Sequence, residues 1–196
     1  VDNMFPAKCS RKYIIAILTF VHGVIIISRL YELNFGIISL VTLFASIYFG
    51  LKSMQTLDAI RHTSEISRLL GEVTSIAIVG LSPKENRPSN MVARYLLDAG
   101  YTIYPVNPGQ KEILGETCYA DLQSIPYPID IVDIFRKSEY VLEVVEQLIE
   151  LAPLPRAVWM QQGVINETAA DLARRKGIFV VMNRCIKVDH ATLLGR

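Results

Sequence analysis

Hydrophobic residues along this chain follow two regimes that meet near residue 54. Before it lie two nearly unbroken apolar runs, the first covering residues 13–28 and the second residues 33–51. A helix that crosses a membrane needs about 20 apolar residues, with a range of roughly 17–25. The second run qualifies on that scale, while the first is marginal and contains His22. The short charged link from Arg29 to Glu32 joins them, so the pattern predicts an N-terminal apolar helical hairpin within residues 1–53.

After Met54 short apolar stretches alternate with amphipathic ones. Residues 57–73 place Ile60, Ile66, Leu69, Leu70 and Val73 at helical spacing, with Ser64 as the expected N-cap. Residues 75–80 (SIAIVG) form a short β-rich run ending in glycine, which predicts a buried strand. A helix is expected over 89–100, capped by Ser89 and closed by Gly100, then a second strand over 101–108 that stops at proline. Further strands are predicted over 129–135, 156–163 and 178–182, with helices over 138–151, 166–177 and 189–195. Strands alternating with helices at this spacing build a parallel sheet covered on both faces. Right-handed crossovers make it a doubly wound α/β fold, with an expected strand order of 3-2-1-4-5.

Length and charge support a division into one domain and an appendage. The chain has 196 residues and a formal net charge of +1, which points to neither a nucleic-acid binder nor an acidic scavenger. Five Lys/Arg but only two Asp/Glu fall within residues 1–53, and the remaining fifteen and seventeen fall within 54–196. Lys8, Arg11 and Lys12 before the hairpin, with Lys52 and Arg61 after it, place both ends on the cytoplasmic side. No A-x-A-like cleavage site marks a secretory signal. Residues 1–53 are thus a membrane hairpin, or an over-extended start before the self-sufficient 54–196 domain. Cys9, Cys118 and Cys185 lie far apart, with no CxxC pair, which argues against structural zinc and suits a reducing compartment.

In a doubly wound sheet, ligands lie beyond the C-terminal strand ends at the switch point, here expected between the first and fourth strands. Segments 80–90, 107–109, 135–137 and 161–163 converge there, with 184–187 as a further candidate. Gly80 lets the backbone turn closely, and the free amides of the following helix make a phosphate site. Ser82 and Ser89 add hydroxyls, and Lys84 and Arg87 add cationic charge. A dinucleotide fingerprint G-x-G-x-x-G is missing, and the second strand ends in Val106-Asn107-Pro108 without the acid that holds a ribose. No G-x-x-x-x-G-K-[ST] loop occurs either. Cys185, flanked by Arg184 and Lys187, reads as a small buried hydrophobe before it reads as a thiolate. His190 is expected in a capping or solvated role, Trp159 in the core, and Asp133 bonded across the sheet end.

The strings IAIVGLSP, RPSN, YPVNP, ILGE, DIVDIFR, VWMQQGVIN and MNRCIKVDH follow one another over about residues 60–194. Together they resemble the small CoA-binding protein family, single-domain relatives of the CoA-binding domain of succinyl-CoA synthetase. Residues 1–53 match nothing in that family. The resemblance implies a Rossmann-like five-stranded fold that holds coenzyme A at its strand ends, with no established catalytic activity. It implies that Gly80, Leu81 and Ser82 surround the diphosphate, with Arg87, Ser89 and Asn90 at the helix start beside it, and Lys84, Arg87 and Arg136 are the candidate cations for its phosphates. Asn107 and Pro108 would border the adenosine, while Phe135, Arg136, Gln161, Gln162 and Gly163 would edge the pocket from the third and fourth strands. The implied role is non-catalytic binding of CoA or acyl-CoA in sensing, storage or delivery, with no metal and no nucleic-acid partner. The alternatives are an NAD(P)-dependent oxidoreductase-like enzyme, or the CoA-binding component of an acyl-CoA ligase that needs a partner chain.

Overall fold

The structure, a computed structural model, describes residues 11–195. Lys8 and Cys9 of the flanking segment lie outside them. The chain divides into two compact units, Val1–Ile60 and Arg61–Arg196. In place of the expected hairpin the described residues begin with one helix, α1 (Arg11–Glu72). The link 29–32 continues that helix because Arg-Leu-Tyr-Glu contains neither proline nor glycine to break it. In the first unit Val41, Phe44, Ile47 and Leu51 are exposed. Among the described residues no helix is long and apolar enough to cross a membrane. Ser64 sits inside α1, its hydroxyl donating to the Arg61 carbonyl, and caps nothing.

The second unit is an α/β fold built on five parallel strands: β1 (Ser75–Val79), β2 (Thr102–Val106), β5 (Ile131–Ile134), β6 (Ala157–Met160) and β7 (Phe179–Met182). A two-stranded hairpin, β3 (Glu112–Ile113) and β4 (Glu116–Thr117), interrupts the connection after β2. The helices are α2 (Pro88–Asp98), α3 (Val141–Leu148), α4 (Glu167–Arg175) and α5 (Ile186–Leu194). The sheet order is β2-β1-β5-β6-β7. Counting only the five sheet strands, that is 2-1-3-4-5, which corrects the expected 3-2-1-4-5. The third strand pairs with β1, Ile76 opposite Ile131, so the sheet reverses between the first and third strands.

Because both faces are covered, β1, β6 and β7 read as near-continuous apolar runs, β5 is interrupted by Asp133, and side chains alternate between two cores. Ile76, Ile78, Ile131, Trp159 and Val181 pack with Ile66, Leu69 and Leu70 of α1, Val92 and Leu96 of α2, and Ile186 of α5. Ala77, Val79, Val132, Ile134, Val158, Met160 and Val180 meet Val141, Val144, Val145 and Leu148 of α3 and the alanines of α4. Trp159 is fully buried, as expected, and its indole N–H donates to the Arg184 carbonyl at 2.8 Å. Gly100, at φ +94, follows the C-cap of α2, and its amide donates to the Leu97 carbonyl. At the N-terminal strand edge the Asp130 carboxylate accepts from the Thr74 and Ser75 amides at 2.9 and 3.0 Å. Burial alone would raise its pKa, but these amides and the adjoining hydroxyls outweigh burial and hold it below the usual range.

Candidate functional site

Reversal of the winding direction sends α2 to one face of the sheet and α3 to the other, which parts the loops at the ends of β1 and β5. The strand ladder extends just past these ends: the Gly80 amide donates to the Val106 carbonyl and the Phe135 amide to the Val79 carbonyl, each at 2.9 Å. Beyond them opens a cleft of about 290 Å³. Its floor is apolar, from Val79, Val106, Leu122 and Val144, and its walls carry Ser82, Asn107, Phe135, Arg136, Tyr140 and Glu143.

The turn after β1 is forced by sterics. Gly80 adopts φ +85, and a Cβ there would stand 2.6 Å from the Phe135 carbonyl oxygen. Only glycine brings the two strand ends this close while keeping a left-handed backbone. Polar side chains then hold the loop from inside. The Ser82 amide donates to the Ser89 hydroxyl at 3.1 Å, and the Asn90 side chain donates to the Ser82 carbonyl at 2.9 Å. Asn107 clasps the neighbouring loop, donating to the Leu81 carbonyl at 2.9 Å while its side-chain oxygen accepts from the Gly109 amide at 3.0 Å.

Six residues predicted from sequence line the cleft: Gly80, Ser82, Asn107, Pro108, Phe135 and Arg136. The other eight lie elsewhere. Leu81 is fully buried, and Ser89 and Asn90 are buried beneath the loop. Ser89 is also not the cap of α2, which starts at Pro88 with Arg87 in the N-cap position. Lys84 and Arg87 are exposed outside the lining. Gln161 turns inward, buried, while Gln162 and Gly163 are exposed and the Gly163 amide donates to Asn183.

Gln161 is held by an unexpected group. Its side-chain amide donates to Asp133 Oδ1 at 2.8 Å, and Asp133 is fully buried with no partner found for Oδ2. Burial pushes the Asp133 carboxyl up to about 8, against the opposing effect of hydrogen bonds from Gln161 and the Ile134 amide. His190 is buried as well, its Nδ1 2.8 Å from the Tyr95 hydroxyl, which corrects its expected solvated role. Cys185 occupies the N-cap position of α5 and is half-buried. Arg184 beside it is engaged by Asp189 through two contacts of 2.6 and 2.7 Å. Burial raises the Cys118 thiol above its usual range despite its hydrogen bond to the Asn107 carbonyl.

Sequence reasoning missed Asp121, Tyr140, Glu143 and Gln147 of the lining. Asp121 lies in the long connection after β2, where the pattern predicts no element. Tyr140 closes the short 3-10 turn Ser138–Tyr140 that follows β5, and Glu143 lies in the first turn of α3. The rule that ligands gather where a helix follows a strand points to that turn once it is extended beyond Lys137. The Arg136 guanidinium lies 5.3 Å from the centre of the Tyr140 ring, a cation–π contact that fixes it at the cleft wall.

Comparisons with known proteins agree with this geometry. YneT, an uncharacterized protein of Bacillus subtilis (strain 168), is 45% identical over 129 residues, which cover 65% of this chain and 93% of that protein. The ADP-forming acetate–CoA ligase I of Archaeoglobus fulgidus is 29% identical over 119 residues, 57% of this chain but 17% of the ligase. A solved structure of a hypothetical protein from Pyrococcus horikoshii OT3 superposes with a TM-score of 0.65 at 41% identity, covering 68% of this chain and 92% of the other. The sequence model of one family, the CoA binding domain, matches residues 74–191, and the chain belongs to that family.

Proposed function

We propose that this protein holds coenzyme A or an acyl-CoA in the cytoplasm without transforming it, in CoA sensing, storage or delivery. The observation that carries the reading is the cleft at the β1–β5 switch point, with its glycine turn, apolar floor and wall cation. At about 290 Å³ it sits at the lower end of the roughly 300–1,000 Å³ of ligand pockets. That volume suits the adenosine end of the ligand and leaves the rest along the surface.

The residues fit such a ligand. Asn107 and Pro108 border the nucleoside, and the Ser82 hydroxyl and the Gly80 turn face its diphosphate. Arg136 supplies a planar fork for phosphate oxygens. Lys84 and Arg87 stand outside the cleft, where they add positive potential toward an anionic ligand. Coenzyme A contributes a thiol for thioester chemistry; the chain contributes the hold. Calorimetric titration of the full chain with CoA is expected to give one saturable site per chain. Absence of binding at millimolar CoA overturns the reading.

A second reading is favoured by the match to the acetate–CoA ligase, which takes in only 17% of that protein. Under it the chain is one component of an acyl-CoA ligase and needs a partner chain. Acyl-CoA turnover that appears only when such a partner is added supports it. Turnover by this chain alone defeats the non-catalytic reading.

A further inference from the structure

Two carboxylates line the cleft, and they are not equivalent. Asp121 Oδ1 is taken up by the Ser124 amide at 2.8 Å and its hydroxyl at 2.6 Å. Glu143, in the first turn of α3, is exposed, and no hydrogen bond or ion pair is found for its side chain among the described residues. A free carboxylate in a site for an anionic ligand is a physical constraint. It accepts hydrogen bonds and donates none, so it repels phosphate and must face a part of the ligand that offers N–H or O–H groups.

The cleft has a cation, Arg136, stacked on Tyr140, and this carboxylate one helical turn beyond Tyr140. Phosphates go to the first and are turned from the second. The apolar surface of Val144 adjoins Glu143, with Val106 and Leu122 completing a floor that suits the face of a purine. From these we infer that Glu143 selects the base: its carboxylate accepts from the 6-amino group of adenine. The inference rests on the CoA reading and adds a specificity residue to it. Guanine presents an acceptor oxygen at the same position, so lone pairs would face lone pairs. A site built around a hydrogen bond rejects an analogue that cannot make it far more strongly than an apolar pocket does.

The test uses the full chain, wild type and Glu143→Gln, titrated with CoA, adenosine 3′,5′-bisphosphate and guanosine 3′,5′-bisphosphate. Wild type is expected to prefer the adenine probe by roughly tenfold or more. Glutamine can accept through its oxygen or donate through its nitrogen, so the E143Q preference is expected to fall to within about threefold of unity. The melting temperature of the unliganded protein should stay unchanged. An equal affinity of wild type for both probes overturns the inference while leaving CoA binding intact. So does an E143Q protein that loses affinity for both probes in the same proportion. Failure of wild type to bind CoA overturns the parent reading instead, and this one with it.

Discussion

Replacing Asp133 with asparagine removes an ionisable group from the core while keeping its shape, and the consequence is a change in how stability depends on pH. In the folded protein the carboxyl is pushed from 3.8 to about 8, mainly by burial. The folded state therefore keeps a proton that the unfolded state releases. The stabilisation this provides is fully present below the unfolded pKa and is lost as pH rises through about 8. Each unit of pH in that window removes about 1.36 kcal/mol, so moving from pH 5.5 to 7.5 costs about 2.7 kcal/mol. Against a total stability of about 5–15 kcal/mol that is a readily measured fraction. Asp130 shifts in the opposite direction and titrates below this window, so it does not mask the effect.

The Asp133→Asn side chain would keep an acceptor for the Gln161 amide and place an NH2 group where Oδ2 now lies without a partner. An unpartnered donor there costs roughly 1–3 kcal/mol, and the O–H of the neutral acid carries the same kind of cost in wild type. The variant's stability should therefore stay nearly level from pH 5.5 to 7.5 while wild type loses about 2.7 kcal/mol, so the variant gains on wild type by about that amount. Urea unfolding of both proteins at half-unit pH steps, with m-values compared, gives the two profiles. Parallel profiles across this range would refute the claim that Asp133 folds as a neutral acid.

Arg136→Ala is expected to weaken CoA roughly tenfold or more, from a charge-assisted contact of about 1.5–3 kcal/mol, and adenosine hardly at all. Lysine there should rescue only part, and Arg87→Ala should cost less, because Arg87 lies outside the cleft; calorimetry on the three variants ranks them. CoA should bind at least tenfold more tightly than NAD, about 1.4 kcal/mol, since Asn107 replaces the ribose acid and is already engaged by Leu81 and Gly109; equal affinities in the same assay refute this. Gly80→Ala should destabilise the fold by about 2 kcal/mol or more, through left-handed strain and the 2.6 Å approach to the Phe135 oxygen, read as a lowered urea midpoint.

Much of this fold is legible in the sequence because parallel strands buried on both faces are largely apolar. Residues 75–80 and 178–182 announce themselves in that way. Strand order is not written so plainly. The connection after β2 carries only a small hairpin and loops, and nothing in residues 107–130 says whether the chain passes back over β1 before it pairs. The N-terminal hairpin failed for a simpler reason: charge at Arg29 and Glu32 suggests a turn, but charge alone does not break a helix.

At the site, Gly80, Asn107 and Phe135 were legible because they sit at strand ends, where topology makes a crevice. Ser89, Asn90 and Gln161 misled for a shared reason. A polar residue beside a nucleotide loop can face the ligand or face the loop, and composition cannot separate the two. Here all three face inward, toward Ser82 or Asp133. Glu143 escaped notice because an acid in the first turn of a helix is ordinary, favoured by the dipole whether or not it meets a ligand.

The inward orientation changes what the loop can do. A loop whose amides and carbonyls are already bonded to Ser89, Asn90 and Asn107 has little freedom left to lose when a ligand arrives. On the CoA reading its contribution to affinity is then a prepared shape, and discrimination falls to the charged groups of the cleft with no ion pair among the described residues, chiefly Arg136, stacked on Tyr140, and Glu143. Those two carry opposite charge, Arg136 in the loop after β5 and Glu143 in the first turn of α3, so a ligand with a phosphate at one end and an amine at the other would lie across them in one direction only. Removing the buried clasp, as in Asn90→Ala, should therefore weaken every nucleotide to a similar degree in calorimetric titration, whereas changes at Glu143 should alter which nucleotide wins.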